Sequence, residues 1–193
     1  MNTYSSLVRQ TPPAVEPVTL AEAKAHMRVD TSDDDTYIGT LITAAREWVE
    51  EYLDRTLIHT QWAMRLEEFD DEIYLPRPPM AQAGTATAVS ITYTMTGGDT
   101  ATLSTTQYRV DRFSTPGELY PPYAGVWPAG RDDENAITIT WWGGYGATGA
   151  SVPQGIKNAM LLYIHELYEK RGNGAPPDAA KMLLDMYRWG SYR

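Results

Sequence analysis

The sequence predicts an α+β protein, with a helical core drawn from the N- and C-terminal helices and a large inserted antiparallel β region between them. Three observations carry this. Apolar residues recur at three and four through Ile38, Leu41, Ile42, Ala45, Trp48, Val49, Tyr52 and Leu53. They alternate with polar residues in short runs between Trp62 and Trp142, and helical spacing returns after Pro153. Helices and strands thus fall in separate blocks, unlike the strand-helix alternation of a parallel α/β sheet. The expected organisation is one domain over 1–193, with N-terminal helices in 1–56, the β region in 57–150 and C-terminal helices in 151–193.

Taken in order, the elements follow from local chemistry. After a lead containing Pro12, Pro13 and Pro17, Thr19 stands three residues before Glu22, the spacing of a capping box, and a short helix follows to Met27. Ser32, Asp33, Asp34 and Asp35 are placed to accept from the free N–H groups of the long helix and to favour the positive end of its dipole. Beyond Asp54, Trp62, Met64 and Leu66 alternate with Gln61, Arg65 and Glu67, the pattern of a half-buried strand. Pro76-Arg77-Pro78-Pro79 stops any ladder, because proline has no N–H to donate. Val89, Ile91 and Tyr93 then lead through Gly97-Gly98-Asp99, a hairpin turn, into Thr100 to Leu103. Tyr108 to Asp111, Gly117 to Tyr120 and Ala136 to Trp142 are further extended runs, giving about six strands. Val152-Pro153 opens a helix with Ile156, Met160, Tyr163, Ile164 and Leu167 on one face, ended by Gly172. A last helix starts near Pro177-Asp178 and presents Met182, Leu183, Met186, Tyr187 and Trp189.

Composition narrows the function. The chain has no cysteine, which removes thiolate metal sites, disulfides and cysteine nucleophiles. Met1 to Gln10 lacks the basic start and apolar core of a signal peptide, and no apolar run approaches the ~18 residues that span a bilayer, so a soluble, unexported protein is expected. Sixteen Lys and Arg against 25 Asp and Glu leave a formal net charge of -9. Such a surface does not clamp DNA, whose binders neutralise phosphates with clustered cations; near DNA it would let the polymer slide.

No catalytic constellation emerges. His26, His59 and His165 are not spaced as metal ligands; the residue four beyond His165 is Glu169, so a helical His-Glu-x-x-His motif is absent. Gly143-Gly144-Tyr145-Gly146 lacks the lysine of a phosphate-cradling loop. Two rivals rest on residue type. Asp70-Asp71-Glu72 and Asp132-Asp133-Glu134 could supply the paired carboxylates of a small glycosidase. Trp127, Trp141, Trp142, Tyr145, Tyr120 and Tyr123 could form the stacking platform of a virion carbohydrate-binding β module, although core packing and subunit contacts use the same residues. No catalytic, cofactor-binding or metal-ligating residue is assigned.

A colinear series of segments points elsewhere. Thr11 to Lys24 (TPPAVEPVTLAEAK), the Met-Arg-Val-Asp turn at Met27 to Asp30, and Ala44 to Glu50 (AAREWVE) come first. Ile73 to Pro79 (IYLPRPP), Tyr108 to Asp111, and Trp142 to Gly146 ahead of Val152-Pro153 follow in order. The series resembles the head-to-tail connector, or adaptor, proteins of long-tailed bacteriophages and gene transfer agents, in a branch with an inserted β region larger than that of all-helical connectors. The resemblance implies a structural virion protein of the neck, assembled in the host cytoplasm, and not an enzyme. It implies a ring of twelve subunits, matched to the portal protein above it, partners in the portal and the tail or head-closure protein, and a channel through which DNA passes without specific binding. On that reading Arg46, Glu50 and Glu51 are candidates for the subunit interface, and Tyr187, Arg188, Trp189, Tyr192 and Arg193 for portal docking. Asp33, Asp34, Asp35, Asp132 and Asp133 are candidates for the channel wall.

Overall fold

In the computed structural model, which describes residues 4–82 and 88–188, Thr19 and Glu22 close the expected capping box. The Glu22 backbone N–H donates to the Thr19 hydroxyl at 3.2 Å, and the Thr19 N–H donates to the Glu22 carboxylate at 2.7 Å. Helix α1 (Leu20–Met27) begins there and ends at Arg28, in the left-handed region at φ 56°. Helix α2 (Asp35–Leu53) buries Ile38, Leu41, Ile42, Ala45, Val49 and Leu53, the stripe its spacing predicts. Each such aliphatic side chain removed from water contributes about 1.5–3 kcal/mol, so this face organises the unit.

Helix α3 (Gln154–Glu169) packs on α1 and α2 through Ile156, Ala159, Met160, Ile164 and Leu167, and Gly172 closes it at φ 82°. Helix α4 (Asp178–Asp185) starts after Pro177 and lies on α3. Its inward residues are Ala180 and Leu184; Met182 and Met186, expected on the apolar face, point outward. Ala180 and Leu184 are four apart, and a side chain two positions away lies on the opposite side of a helix, so packing Leu184 turns both methionines out. These helices form a unit of Pro13–Ile58 with Gly146–Arg193. Its two stretches meet in a parallel bridge between Ile58 and Gly146, the points where the chain leaves the unit and returns to it.

The β unit comprises Met1–Pro12 with His59–Tyr145. Strands β1 (Ser6–Thr11), β2 (Thr60–Leu66), β4 (Ser90–Thr94), β5 (Thr100–Thr102) and β8 (Ile137–Gly143) form an antiparallel sheet in the order β1-β2-β8-β4-β5. Strands β3 (Ile73–Leu75), β6 (Arg109–Asp111) and β7 (Gly117–Tyr120) form a second sheet, β3-β7-β6. In the β2–β8 ladder Trp62 faces Trp141, Met64 faces Ile139 and Leu66 faces Ile137, so one side of the pair is apolar from Trp62 onward, with Thr60 opposite Gly143 at its end. That side shares a core with Ile73, Leu75 and Leu119 of the smaller sheet. The Gly97-Gly98 turn joins β4 to β5, with Gly98 at φ 99°.

One strand was not anticipated. Ser6–Thr11 lies in the stretch expected to lead into helices, yet it pairs with β2 from Ser6↔Arg65 to Thr11↔Gln61. Its alternation is weak because it is an edge strand, with Val8 51% exposed, so no strong apolar period marks it.

Candidate functional site

The helical unit encloses an ion-pair cluster. The Arg46 guanidinium donates from Nε to Glu16 at 2.8 Å and from Nη1 to Glu50 at 2.9 Å. Thr43 donates its hydroxyl to the other Glu16 oxygen at 2.9 Å, and the Leu57 N–H donates to the other Glu50 oxygen at 3.0 Å. Arg46 is 4% exposed and Glu50 3%. Burial pushes the Arg46 pKa down, but the charges of Glu50 and Glu16 outweigh it and hold it above its ordinary value, so the guanidinium remains cationic. Of the three residues expected at a subunit interface, Arg46 and Glu50 therefore turn inward, and Glu51 is exposed.

A second ion pair ties α3 to α1. Lys157 donates to Glu22 at 2.5 Å while Glu22 also serves the capping box. Hydrogen bonds from Lys157 first, then from the Thr19 backbone, hold the Glu22 carboxyl below its usual range.

The acids at the start of α2 have dispersed roles. Asp33 is exposed. Asp34 occupies the cap position but makes no side-chain cap bond; its carboxylate accepts from the Tyr168 hydroxyl at 2.6 Å and lies 3.9 Å from Arg171. The expectation of a local cap is corrected there, because a phenol from a distant helix claims the oxygens. Asp35 pairs with Lys24 at 2.5 Å. In the β unit Asp132 and Asp133 are exposed on the segment before β8, with Asp133 accepting from the Glu134 N–H at 2.9 Å and lying 3.6 Å from Arg131.

Residues of the rival chemistries also come into view. A cleft of about 480 Å³ gathers Glu67, Glu68, Asp71 and Asp132 beside Phe69 and Trp127. These four carboxylates are exposed to water, without the apolar enclosure that tunes a glycosidase acid. Glu72 accepts from the Tyr74 hydroxyl at 2.7 Å and the Tyr120 hydroxyl at 2.8 Å, in that order of effect, and its pKa is lowered, the reverse of a general acid's requirement. No sugar platform assembles from the six aromatics. Trp141 is 1% exposed in the core, and Trp142 falls on the other side of β8. Trp127 is stacked on Phe69 at 4.9 Å and donates to the Asp70 carbonyl at 2.7 Å. His26 and His165, far apart in sequence, meet edge to face at 6.0 Å. Among the described residues no group of three His, Cys, Asp or Glu side chains is placed to hold a metal.

The end of α4 is held against α2. Tyr52 donates its hydroxyl to Asp185 at 2.7 Å, Arg55 donates to the Tyr187 carbonyl at 2.6 Å, and Arg188 lies over the Tyr52 ring at 5.4 Å. Tyr187 and Arg188 thus have fixed positions; Trp189, Tyr192 and Arg193 lie outside the described residues. Large apolar side chains left exposed are Val15, Met182 and Met186 in the helical unit, and Tyr4, Val8, Phe113, Tyr123 and Val126 in the β unit.

Residues 17–108, spanning parts of both units, match the model of the phage gp6-like head-tail connector protein family. Over that stretch the chain is similar to the head-tail connectors of that family. Three solved structures share the chain's fold. A chain in the neck of an empty gene transfer agent particle, computed with C6 symmetry, has a TM-score of 0.78 at 19% identity, covering 95% of both chains. A chain in the virion of a native gene transfer agent particle gives 0.76 at 20%, covering 94% of each. A chain in the neck of a native particle computed with C12 symmetry gives 0.71 at 19%, again covering 94% of each. No curated protein matches the chain.

Proposed function

We propose that the chain is a structural connector of the virion neck, assembling with copies of itself into a ring below the portal that extends the DNA channel and joins the capsid to the tail. The carrying observation is the connector-family match over residues 17–108; the fold likeness over 95% of the chain extends it to both units. Twelve copies is the number this reading favours, supported by a similar chain in a neck of C12 symmetry. Its partners are the portal protein and the tail or head-closure protein, and DNA passes without specific binding.

The net charge of -9 suits a channel to which DNA does not adhere. Asp33, Asp132 and Asp133 are the acids best exposed for that wall, whereas Asp34 and Asp35 are engaged by Tyr168 and Lys24. In this reading Arg46 and Glu50 set the shape of the α2 surface from inside, and Glu51 is the one of the three exposed on that surface. Tyr187 and Arg188, held on α2, are the described part of the stretch assigned to portal docking.

Native mass spectrometry over a concentration series, alone and with the cognate portal, tests the reading, with negative-stain images of large species. Closed rings, or rings formed only on the portal, are expected. A monomer indifferent to the portal at every concentration overturns it.

A further inference from the structure

Helix α4 is apolar on two opposite sides. Ala180 and Leu184 fill the inner side, while Met182 and Met186, one turn apart, stand 72% and 70% exposed. Helix α4 packs on α3 and, at its end, on α2, and neither covers the two methionines, so this second apolar side is open to a partner outside the chain. The same helical unit carries a groove of about 400 Å³ whose walls include Val15, Pro17, Gly149 and Ala150. Val15, 44% exposed, forms its lip. The charged residues of its lining are already paired, Lys157 with Glu22 at 2.5 Å and Glu16 with Arg46 at 2.8 Å, so the groove calls for an apolar guest rather than a charged one.

We propose that Met182 and Met186 of one copy seat in the Val15–Ala150 groove of the next copy. The inference rests on the ring reading, which it deepens. A ring requires each subunit to carry a donor patch and a different acceptor patch, and the helical unit supplies one apolar example of each. Methionine suits the donor, because its unbranched thioether adapts to an irregular groove. The contact is small: Met182 of the helix and Met186 at its cap fall well short of the roughly 800 Å² per partner of a stable pair. It is a contact that persists when repeated around a ring or templated by a larger partner.

Because the chain has no cysteine, introduced thiols are the only ones present. Val15→Cys protein is mixed with Met182→Cys or Met186→Cys protein, oxidised and run on a non-reducing gel. The mixed dimer is expected to dominate over both homodimers, and the double variant Val15→Cys/Met186→Cys to give a ladder of linked copies. A random distribution of dimers overturns the proposal. In parallel, Met182→Glu/Met186→Glu, verified as folded by far-UV circular dichroism, is expected to lose rings at concentrations where the unaltered chain forms them; rings that persist also overturn it. Ring formation by the unaltered chain is read separately by native mass spectrometry. Rings with random cross-linking sink only the Met-in-groove contact, whereas no ring under any condition sinks the connector reading beneath it.

Discussion

Arg46 shows how a charged residue on a helix can be structural although its sequence neighbourhood suggests a surface. Its guanidinium holds Glu16 and Glu50 together in a nearly dry position, and removing one partner of a buried pair is more costly than the pair is worth. Arg46→Ala is expected to destabilise the chain by about 3–5 kcal/mol in urea unfolding, and the double change Arg46→Met/Glu50→Leu by less, since no charge of that pair remains buried. The role was not legible because Glu16 is remote in sequence; only the Arg46–Glu50 spacing of four is visible locally. The capping box was legible for the opposite reason, since Thr19 and Glu22 act over three residues. Glu22 also gives a pH dependence. Its pKa is lowered in the folded state, so its contribution is present above the ordinary value of 4.5 and is lost as pH falls through the folded value. Glu22→Gln should flatten the acid limb of a stability-against-pH curve below about 4.5, although solvent screening keeps the effect modest.

At the scale of elements, the long stripe of α2 and the alternation of β2 and β8 were plain because each buries one face, and burial writes its period into the sequence. Strand β1 has an exposed outer residue and no such period, and the two apolar sides of α4 looked like one until Leu184 fixed the helix's rotation. Gly149 belongs to this scale as well. A Cβ there would stand 2.4 Å from the Pro17 carbonyl oxygen, a backbone atom that cannot simply swing aside. Gly149→Ala is therefore expected to lower stability by about 1–3 kcal/mol, read as a fall in Tm by scanning calorimetry, because the Glu16–Pro17 segment must move away. The same movement would open the groove proposed to receive the methionines, so ring formation should weaken with it.

For the whole molecule, the α+β class and the order of its blocks were readable, as was the likeness to the connectors, through several short segments in series rather than one motif. The partition into units was harder to see. Residues of the N-terminal lead and of the insertion share one sheet because β1 pairs with β2 across fifty or more positions, a separation no local pattern reports. The acidic balance predicts a further behaviour of the assembled ring: a DNA mobility-shift titration at about 0.15 M salt should show no retained complex, and a retained complex would remove the sliding-channel argument.

The bridge between Ile58 and Gly146 means that the chain leaves the helical unit and re-enters it at touching positions. A short glycine-rich linker can therefore replace residues 59–145 once residues 1–12 are also removed, and the remaining chain should keep its helical far-UV spectrum and a cooperative melt. If it does, the β region behaves as a cassette. A lineage could then exchange it to suit a new neighbour while the helical base, with its buried Arg46 cluster, is inherited unchanged.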